Sequence, residues 1–188
     1  YRYDKQRLVP GMERTPFLSG GSRGSARGPL SVGSPAPPWT EGPHAYGPLI
    51  CYESLFSDLS RAHRQAGADL LVNLTSDVWF AGPGGALAEY GLSQHAAHMI
   101  LRAIENRAAV ARAANGGLSF VLSPRGVRVG SGLPPEGGLQ VADVPISAAQ
   151  TFFGRHGDLA GPGSTAACLL LLVWGLRGRG GKQGARLN

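Results

Sequence analysis

Residues 48–74 read PLICYESLFSDLSRAHRQAGADLLVNL, and this stretch predicts a strand, a helix and a second strand in succession. Residues 48–53 form a short apolar run that ends in polar residues, which is typical of a buried strand. Residues 54–66 follow as a helix, and Gly67 is placed to end it. Residues 68–74 are a second apolar run of strand length. This alternation predicts an α/β domain.

The chain downstream continues the alternation. Residues 75–91 have the composition of a loop, and residues 92–115 have apolar side chains at three- and four-residue steps, which predicts a helix. The apolar runs 118–122 and 127–129 flank Ser-Pro-Arg-Gly, which is the signature of a hairpin. Residues 139–146 are a last candidate strand.

The region before residue 48 is different in composition. Residues 17–47 are rich in Gly, Pro and Ser and retain no hydrophobic period, which predicts a flexible loop. A loop of this length is typical either of a functional lid or of a solvated insert, and both interpretations stay open. We expect residues 1–158 to form the α/β domain, with this loop as an interruption.

The C-terminal region carries the most apolar stretch of the chain. Residues 166–176 are uninterrupted, and at about 1.5 Å a residue they span roughly 16 Å, short of the ~30 Å core of a bilayer. A longer segment, residues 159–176, precedes a basic tail at residues 177–188. Because Lys and Arg collect on the cytoplasmic side of membranes, we expect this segment to be a transmembrane helix rather than a core helix.

The overall composition argues against several classes of protein. Hydrophobic residues make up 43% of the 188 residues and charged residues 16%, so the chain has enough apolar surface for a core. The net charge is +6, but the excess lies in the tail without interleaved aromatic residues, so nucleic-acid binding is not expected. Two cysteines are too few for a disulfide scaffold or a zinc site, and we expect neither metal nor cofactor.

Cys51 is the strongest candidate for chemistry, since it lies where a predicted strand ends and a helix begins. The N–H groups that follow such a position can stabilise a thiolate and an oxyanion. The alternative is a small core residue, which is the commoner role of a lone cysteine. Cys168 lies inside the apolar run and is expected to pack there. The five histidines show no metal pattern, although His95 and His98 share a helix face.

Five blocks in a fixed order resemble the C-terminal half of the apolipoprotein N-acyltransferases, membrane enzymes of the nitrilase, or carbon–nitrogen hydrolase, superfamily. The resemblance covers most of residues 1–176, and the blocks lie on both sides of Cys51, which makes it specific. They are YDKQRLVP at 3–10 with Glu13, GPLICYE at 47–53, GADLLVNLTSD at 67–77 running to Trp79 and Phe80, QH at 94–95 with LRAIEN at 101–106, and RAANGG at 112–117 leading to PRG at 124–126.

The resemblance implies an αββα sandwich with a Glu-Lys-Cys triad. Cys51 matches the nucleophile, Lys5 the triad lysine and Glu13 an auxiliary glutamate. Tyr52 and Glu53 match residues that support the nucleophile. Enzymes of this family move an acyl chain from a phospholipid, through a cysteine thioester, to the N-terminal amino group of the diacylglyceryl-cysteine of lipoproteins.

The resemblance also implies a location, and on that basis we expect a route for the lipid. The family lies in the bacterial cytoplasmic membrane with its catalytic domain on the outer, periplasmic side. Trp79 and Phe80, together with the loop at residues 17–47, are expected to face the bilayer and bind the phospholipid acyl donor.

The sequence departs from the family pattern at its N-terminal end. The triad glutamate lies upstream of Lys5 in the family, and residues 1–4 hold no match for it. Residues 10–13 read Pro-Gly-Met-Glu where the family has Pro-Phe-Gly-Glu. We therefore expect a C-terminal piece of such an enzyme that is weak or inactive alone. Two other functions stay open, namely a soluble nitrilase-like amidase and a non-catalytic remnant that binds lipid or a partner protein.

Overall fold

The strand–helix–strand unit predicted from residues 48–74 is present and lies within a six-stranded mixed sheet. The computed structural model describes residues 1–13, 30–80, 86–131, 133 and 137–183. In these ranges the strands are β1 (Trp39–Glu41), β2 (His44–Ile50), β3 (Leu70–Ser76), β4 (Ala109–Asn115), β5 (Phe120–Leu122) and β6 (Arg128–Val129). The helices are α1 (Ser57–Gln65), α2 (Ala86–Asn106), α3 (Phe152–His156) and α4 (Ala160–Gln183), and two short 3-10 turns cover Cys51–Leu55 and Val78–Phe80.

The sheet has a parallel centre and antiparallel edges. Strands β2, β3 and β4 pair in parallel, with Leu49 opposite Asn73 and Asn73 opposite Arg112. Strand β1 pairs antiparallel with β2 at one edge, and β5 and β6 extend the sheet antiparallel at the other. Helices α1 and α2 connect the parallel strands, and right-handed crossovers place both helices on the same face of the sheet.

The core lies between this face and the two helices. Its side chains are almost completely buried, and each large apolar one contributes about 1.5–3 kcal/mol by its removal from water. They include Leu49, Leu59, Leu71, Ala96, Met99, Ala103, Val110, Phe120 and Leu122. This packing fixes the carboxyl ends of β2 and β3, where the candidate site lies.

The helix predicted at residues 92–115 is wrong at its C-terminal end. Helix α2 stops at Asn106, and residues 109–115 form strand β4. Arg107 between them has a φ of +48°, in the left-handed region, which turns the chain out of the helix. The Ala-rich composition of β4 favours a helix, but parallel pairing with all of β3 overrides that local preference.

The flexible loop predicted at residues 17–47 is wrong over residues 39–47. There β1 and the first part of β2 form a hairpin, and Gly42 in its turn has a φ of +58°. Trp39 and Tyr46 pair across the hairpin with ring centroids 5.2 Å apart, a contact that stabilises antiparallel strands. Residues 14–29, which include much of the predicted loop, lie outside the described residues.

The hairpin predicted around residues 118–129 is confirmed as β5 and β6, although both strands are shorter than expected. The strand predicted at residues 139–146 is wrong, because residues 137–150 contain neither helix nor strand. Leu139 and Val141 are 89% and 86% exposed, so the apolar side chains that suggested a strand have no buried face to pack on.

The chain divides into two compact units, residues 1–154 and residues 155–188. The second unit contains α4, so a helix is present where one was expected at residues 159–176. None of the helices in the described ranges is both long enough and apolar enough to cross a bilayer, and the transmembrane prediction is therefore not supported. Residues 161–163, Gly-Pro-Gly, occupy the first turn of α4 and leave residues 166–176 as its continuous apolar run.

Two further expectations concern this second unit. Cys168 was expected to pack within the apolar run, but it is exposed on α4, as are the leucines that follow it at residues 169–172. Of the basic tail, Arg177 is exposed, and residues 184–188 lie outside the described residues.

Candidate active site

Cys51 occupies a sharp turn at the carboxyl end of β2, where the 3-10 turn Cys51–Leu55 begins. The carboxyl ends of parallel strands are the usual location of sites in α/β sheets. The φ of Cys51 is +52°, a left-handed conformation that costs a non-glycine residue about 1–3 kcal/mol. A side chain on such a strained strand-to-helix turn projects away from the sheet and is accessible to a substrate. The position expected for Cys51 at a strand end is confirmed.

Glu53 holds this turn to the N-terminal segment of the chain. Its side chain is fully buried, and its Oε1 accepts hydrogen bonds from the backbone N–H of Gln6 at 2.5 Å and of Arg7 at 3.2 Å. Its Oε2 accepts from the N–H of Ile50 at 2.6 Å and from the Tyr3 hydroxyl at 3.1 Å. Two donors on each oxygen compensate the cost of burying the charge. Glu53 therefore holds the Cys51 turn to the N-terminal segment by hydrogen bonds.

Tyr3 completes this cluster as a permanent donor. Burial, and then the negative charge of Glu53, raise the pKa of Tyr3 well above its usual range. The phenol keeps its proton at physiological pH, and it also accepts a hydrogen bond from the Gln6 amide at 3.1 Å.

Lys5 and Glu13 form an ion pair in the same N-terminal segment. The ammonium nitrogen of Lys5 lies 2.8 Å from Oε1 and 2.6 Å from Oε2 of Glu13, and the Lys5 side chain is only 12% exposed. The N–H of Val9 donates to Oε2 of the same carboxylate at 2.8 Å. The structure thus brings together two of the residues expected from the resemblance. Lys5 is joined to the Cys51 turn through its neighbour Gln6, whose N–H binds Glu53.

A cleft of about 260 Å³ opens beside Cys51. Its lining combines the Cys51 turn, the 3-10 turn Val78–Phe80 and one face of α2. The lining residues are Cys51, Tyr52, Leu55, Trp79, Phe80, Gly91, Gln94, His95 and His98. Trp79 and Phe80, expected to bind substrate, therefore share a cleft with the expected nucleophile.

Aromatic rings form part of the lining of the cleft. Trp79 and Phe80 stack with centroids 4.0 Å apart, and Phe80 lies 5.8 Å from the His95 ring. Gly91 permits this packing, because a Cβ at that position would lie 2.6 Å from Cδ1 of Phe80. Trp79 remains 48% exposed, so it lies where the cleft opens to solvent.

A buried polar network lies beneath the cleft. His95 Nδ1 is 2.9 Å from Oδ1 of Asp77, and its Nε2 is 3.3 Å from the carbonyl oxygen of Cys51. Arg112 donates to Oδ2 of Asp77 at 2.6 Å and also to the side-chain oxygen of Asn73. Asn73 in turn donates to the Leu49 carbonyl at 2.9 Å. The network connects β2, β3, β4 and α2 and reaches the Cys51 carbonyl through His95.

The network is held by a buried pair of opposite charges. Burial alone raises the pKa of Asp77, but the hydrogen bond from His95 and the charge of Arg112 outweigh it and place the pKa below its usual value. Burial lowers the pKa of Arg112, and the Asp77 carboxylate offsets part of that shift. Losing one member of such a pair leaves an uncompensated buried charge, at a cost of about 3–5 kcal/mol.

Helix α2 supplies two further cationic or basic side chains near the site. Arg102 donates to the carbonyl oxygens of Ser54 at 3.2 Å and Leu55 at 3.0 Å, and pairs with Glu105 at 2.8 Å. Burial, and then the charge of Arg102, lower the pKa of His98, so its ring is mainly neutral at physiological pH.

Asp77, His95 and Arg112 were part of the quoted sequence blocks, but no role was expected for them. The available signal was weak, because a charged residue inside an Ala-rich segment (Arg112) or directly after a strand (Asp77) is compatible with many structures. His95 and His98 do line one cleft, as their shared helix face indicates. In the described ranges no group of three His, Cys, Asp or Glu side chains could hold a metal ion.

Comparisons with known proteins agree with this geometry. Residues 2–152 match the carbon-nitrogen hydrolase family. The chain is similar to the apolipoprotein N-acyltransferase of Geobacter metallireducens, with 35% identity over 163 residues, which cover 84% of this chain and 30% of that protein. It is also similar to that of Bradyrhizobium diazoefficiens, with 36% identity over 180 residues, which cover 91% of this chain and 32% of that protein. The chain thus spans about a third of the length of these curated relatives.

Solved structures of low identity share the fold. The crystal structure of a carbon-nitrogen hydrolase from Helicobacter pylori has a TM-score of 0.57 and 13% identity, over 62% of this chain and 45% of that one. A mutant amidase of the nitrilase superfamily from Nesterenkonia has a TM-score of 0.51 and 24% identity, over 76% of this chain and 50% of that one. The nitrilase-like α/β fold with its mixed sheet is therefore shown, and the second sheet of an αββα sandwich stays a prediction.

Proposed function

The chain belongs to the carbon-nitrogen hydrolase family, and on this premise we propose that it carries the nucleophile of a phospholipid-dependent apolipoprotein N-acyltransferase. Cys51 accepts an acyl chain from a phospholipid as a thioester. The acyl group is then transferred to the α-amino group of the diacylglyceryl-cysteine at the N-terminus of a lipoprotein. The observation that carries this proposal is the strained turn at Cys51, which opens into an aromatic cleft, and the names of the relatives supply the substrate class.

The first step forms the thioester. The thiolate sulfur of Cys51 attacks the ester carbonyl of the phospholipid, the carbon–oxygen ester bond breaks, and the lysophospholipid leaves with a proton. Lys5 and the backbone N–H of Tyr52 stabilise the oxyanion, and one such donor typically contributes about 2.7–4 kcal/mol. Glu13 holds the Lys5 ammonium by both carboxylate oxygens. The glutamate that serves as general base lies outside residues 1–188 in this proposal.

The second step resolves the thioester. The lipoprotein amine attacks the same carbonyl carbon, the carbon–sulfur bond breaks, and the Cys51 thiolate is regenerated while the amine loses a proton. A thiolate is both a good nucleophile and a good leaving group, so the covalent intermediate divides one difficult transfer into two easier steps.

The surroundings of the cleft suit a lipid substrate. Trp79 and Phe80 offer stacked rings to an acyl chain, and Leu55 adds an apolar side chain to the lining of the cleft. Val78, directly before Trp79 in the chain, is also exposed. Exposed apolar groups around a site are typical of membrane or lipid contact. Together with the names of the relatives, these side chains support our proposal that the protein acts at the bacterial cytoplasmic membrane, with the catalytic domain on the outer side as the resemblance implies.

Acyl transfer to a lipopeptide tests this proposal. Protein purified from its native source is incubated with phosphatidylethanolamine vesicles and a diacylglyceryl-cysteine peptide, and both products are measured by mass spectrometry. The proposal predicts one added acyl chain on the peptide amine and an equal amount of lysophospholipid. Cys51→Ser abolishes both products, whereas Cys168→Ser, which changes the other cysteine, leaves them unchanged.

The alternatives give different products in the same assay. A soluble amidase would release carboxylic acid from small amides and leave the peptide unmodified. A non-catalytic remnant would bind vesicles or a partner without producing lysophospholipid, and Cys51→Ser would have no effect on that binding. Either result overturns the acyltransferase proposal.

A further inference from the structure

We infer that His95 is a positioning residue for the nucleophile: oriented by Asp77, its ring donates a hydrogen bond to the Cys51 carbonyl and holds the left-handed turn in place. The inference deepens the proposed function and rests on it for the identity of Cys51 as the nucleophile. The contact itself is a feature of the structure, with 3.3 Å between Nε2 and the carbonyl oxygen.

The partners of the His95 ring fix its orientation. Nδ1 lies 2.9 Å from Oδ1 of the Asp77 carboxylate, and this contact directs Nε2 toward the Cys51 carbonyl. That carbonyl can only accept, so in this inference Nε2 carries the hydrogen that binds it. Arg112 approaches Nδ1 to 3.4 Å, and its charge is balanced by the second oxygen of Asp77.

The environment of the ring makes this arrangement rigid. The His95 side chain is 5% exposed and the Asp77 side chain 0% exposed, and Thr75 donates to the same Asp77 oxygen at 2.9 Å. Phe80 packs on the ring from the cleft side with centroids 5.8 Å apart. Hydrogen bonds to charged groups in such a dry environment are stronger than neutral ones.

Arg102 holds the other end of the same turn. It lies seven residues after His95, which places both side chains on one face of α2. Arg102 donates to the carbonyls of Ser54 and Leu55, while His95 donates to that of Cys51. One helix thus fixes the first and the last residue of the Cys51–Leu55 turn through their carbonyl oxygens.

This arrangement has a consequence for the reaction. The first N–H groups of a helical turn have no partner inside the turn. When the carbonyls are held from the α2 side, the N–H of Tyr52 is fixed relative to the Cys51 sulfur. An oxyanion donor is effective only when it is preorganised at the position where charge develops. His95 therefore acts on the reaction through the backbone of Cys51 and has no contact with the acyl group in this proposal.

Two substitutions at one position test the inference. His95→Leu removes both ring nitrogens, whereas His95→Gln retains an N–H donor that can reach the Cys51 carbonyl. Amide hydrogen exchange is measured by mass spectrometry on peptides that cover residues 50–56, with peptides from α1 as the internal reference. Acyl-thioester formation on Cys51 is measured at increasing concentrations of phosphatidylethanolamine vesicles.

We expect His95→Leu to accelerate exchange in residues 50–56 by about tenfold to hundredfold, the range for a lost bond to a charged group, with α1 unchanged. Thioester formation falls in maximal rate and keeps its half-saturating lipid concentration. His95→Gln recovers most of both properties. If His95→Leu destabilises the whole protein, the test rests on His95→Gln. Near-native exchange of residues 50–56 in His95→Gln then supports the inference, and loss of protection there overturns it.

Unchanged exchange at residues 50–56 in His95→Leu overturns the inference, as does equal behaviour of the two variants. These results are distinct from a failure of the proposed function. A wild-type protein that forms no acyl adduct on Cys51 would contradict acyl transfer, and the exchange measurement would still show whether His95 fixes the turn.

Discussion

The carboxylate of Glu53 lies 2.5 Å from the backbone nitrogen of Gln6, a residue 47 positions earlier in the chain. This bond joins the segment that carries Lys5 to the turn that carries Cys51. Three further donors converge on the same buried carboxylate, from Arg7, Ile50 and Tyr3. The geometry of the candidate site therefore depends on a side chain that itself needs no contact with a substrate.

We predict that Glu53→Gln strongly destabilises the protein. The amide nitrogen that replaces one carboxylate oxygen is itself a donor. It would face the two donors that this oxygen now binds, so at least one buried group loses its partner. The free energy of unfolding should fall by about 2–4 kcal/mol, as measured by urea denaturation. Glu41→Gln, at an exposed position on β1, is the matched control and should change stability little. Equal effects of the two substitutions would show that the four hydrogen bonds contribute nothing.

The stability of the protein should depend on Asp77 at acidic pH. The pKa of Asp77 is lower in the folded protein than its ordinary value of 3.8, because His95 and Arg112 outweigh the effect of burial. A lowered pKa stabilises the folded state fully above about pH 4, and this contribution is lost as the pH falls through the folded pKa. Asp77→Asn should therefore flatten the loss of stability below that pH, at a lower stability overall.

Thermal unfolding between neutral and acidic pH checks this prediction. Asp58→Asn is a suitable control, since the Asp58 side chain is 60% exposed and pairs only at the surface with Arg7. If the melting temperatures of wild type and Asp77→Asn differ by the same amount at every pH, Asp77 does not cause the loss of stability in acid.

The Lys5 ammonium should matter for the chemistry more than for the fold. Lys5→Met removes the proposed positive charge at the oxyanion, and we expect thioester formation on Cys51 to slow by about 100- to 1,000-fold. Arg2→Met removes a cation from the same N-terminal segment at a position whose side chain is 85% exposed, and it should have little effect. Stopped reactions analysed by mass spectrometry give both rates, and similar rates for the two variants would refute a role for Lys5 as oxyanion donor.

Trp79 should contribute to lipid binding rather than to the reactivity of the thiol. Trp79→Glu places a charge on the lip of the cleft, so acyl transfer from vesicles should fall at least tenfold, given that burying a charge in an apolar environment is costly. Alkylation of Cys51 by iodoacetamide should change little. Trp39→Glu, at another partly exposed tryptophan, is the control. Equal losses of transfer and alkylation in Trp79→Glu would mean that the substitution disturbs the Cys51 turn itself.

The sequence predicted the centre of the fold and the position of Cys51 at the end of a strand, because both depend on local patterns. The apolar runs on either side of residues 54–66 indicate two buried strands, and Cys51 follows the first of them directly. The helix predicted at residues 92–115 failed for the opposite reason: β4 is rich in alanine, and only its pairing with β3 makes it a strand. Such pairing depends on tertiary structure and cannot be predicted from the local propensity of the residues.

The buried network beneath the cleft was not predictable in this way. Its members come from β3, β4, α2 and the segment after β3, and their side chains meet only once the sheet has formed. His95 in particular had only a shared helix face with His98 as a sequence signal, whereas its two nitrogens face Asp77 and the Cys51 carbonyl. A charged residue inside an Ala-rich segment, Arg112, and one directly after a strand, Asp77, were the weak sequence signals for this network.

The most direct test of the acyl-enzyme mechanism is intact-mass spectrometry of the native protein, with and without hydroxylamine, which cleaves thioesters. After incubation with phospholipid vesicles, we expect an added acyl mass that maps to Cys51, is removed by hydroxylamine and persists in Cys168→Ser. An unmodified chain after the same incubation, or an adduct that resists hydroxylamine or maps to another residue, would rule out a Cys51 thioester intermediate.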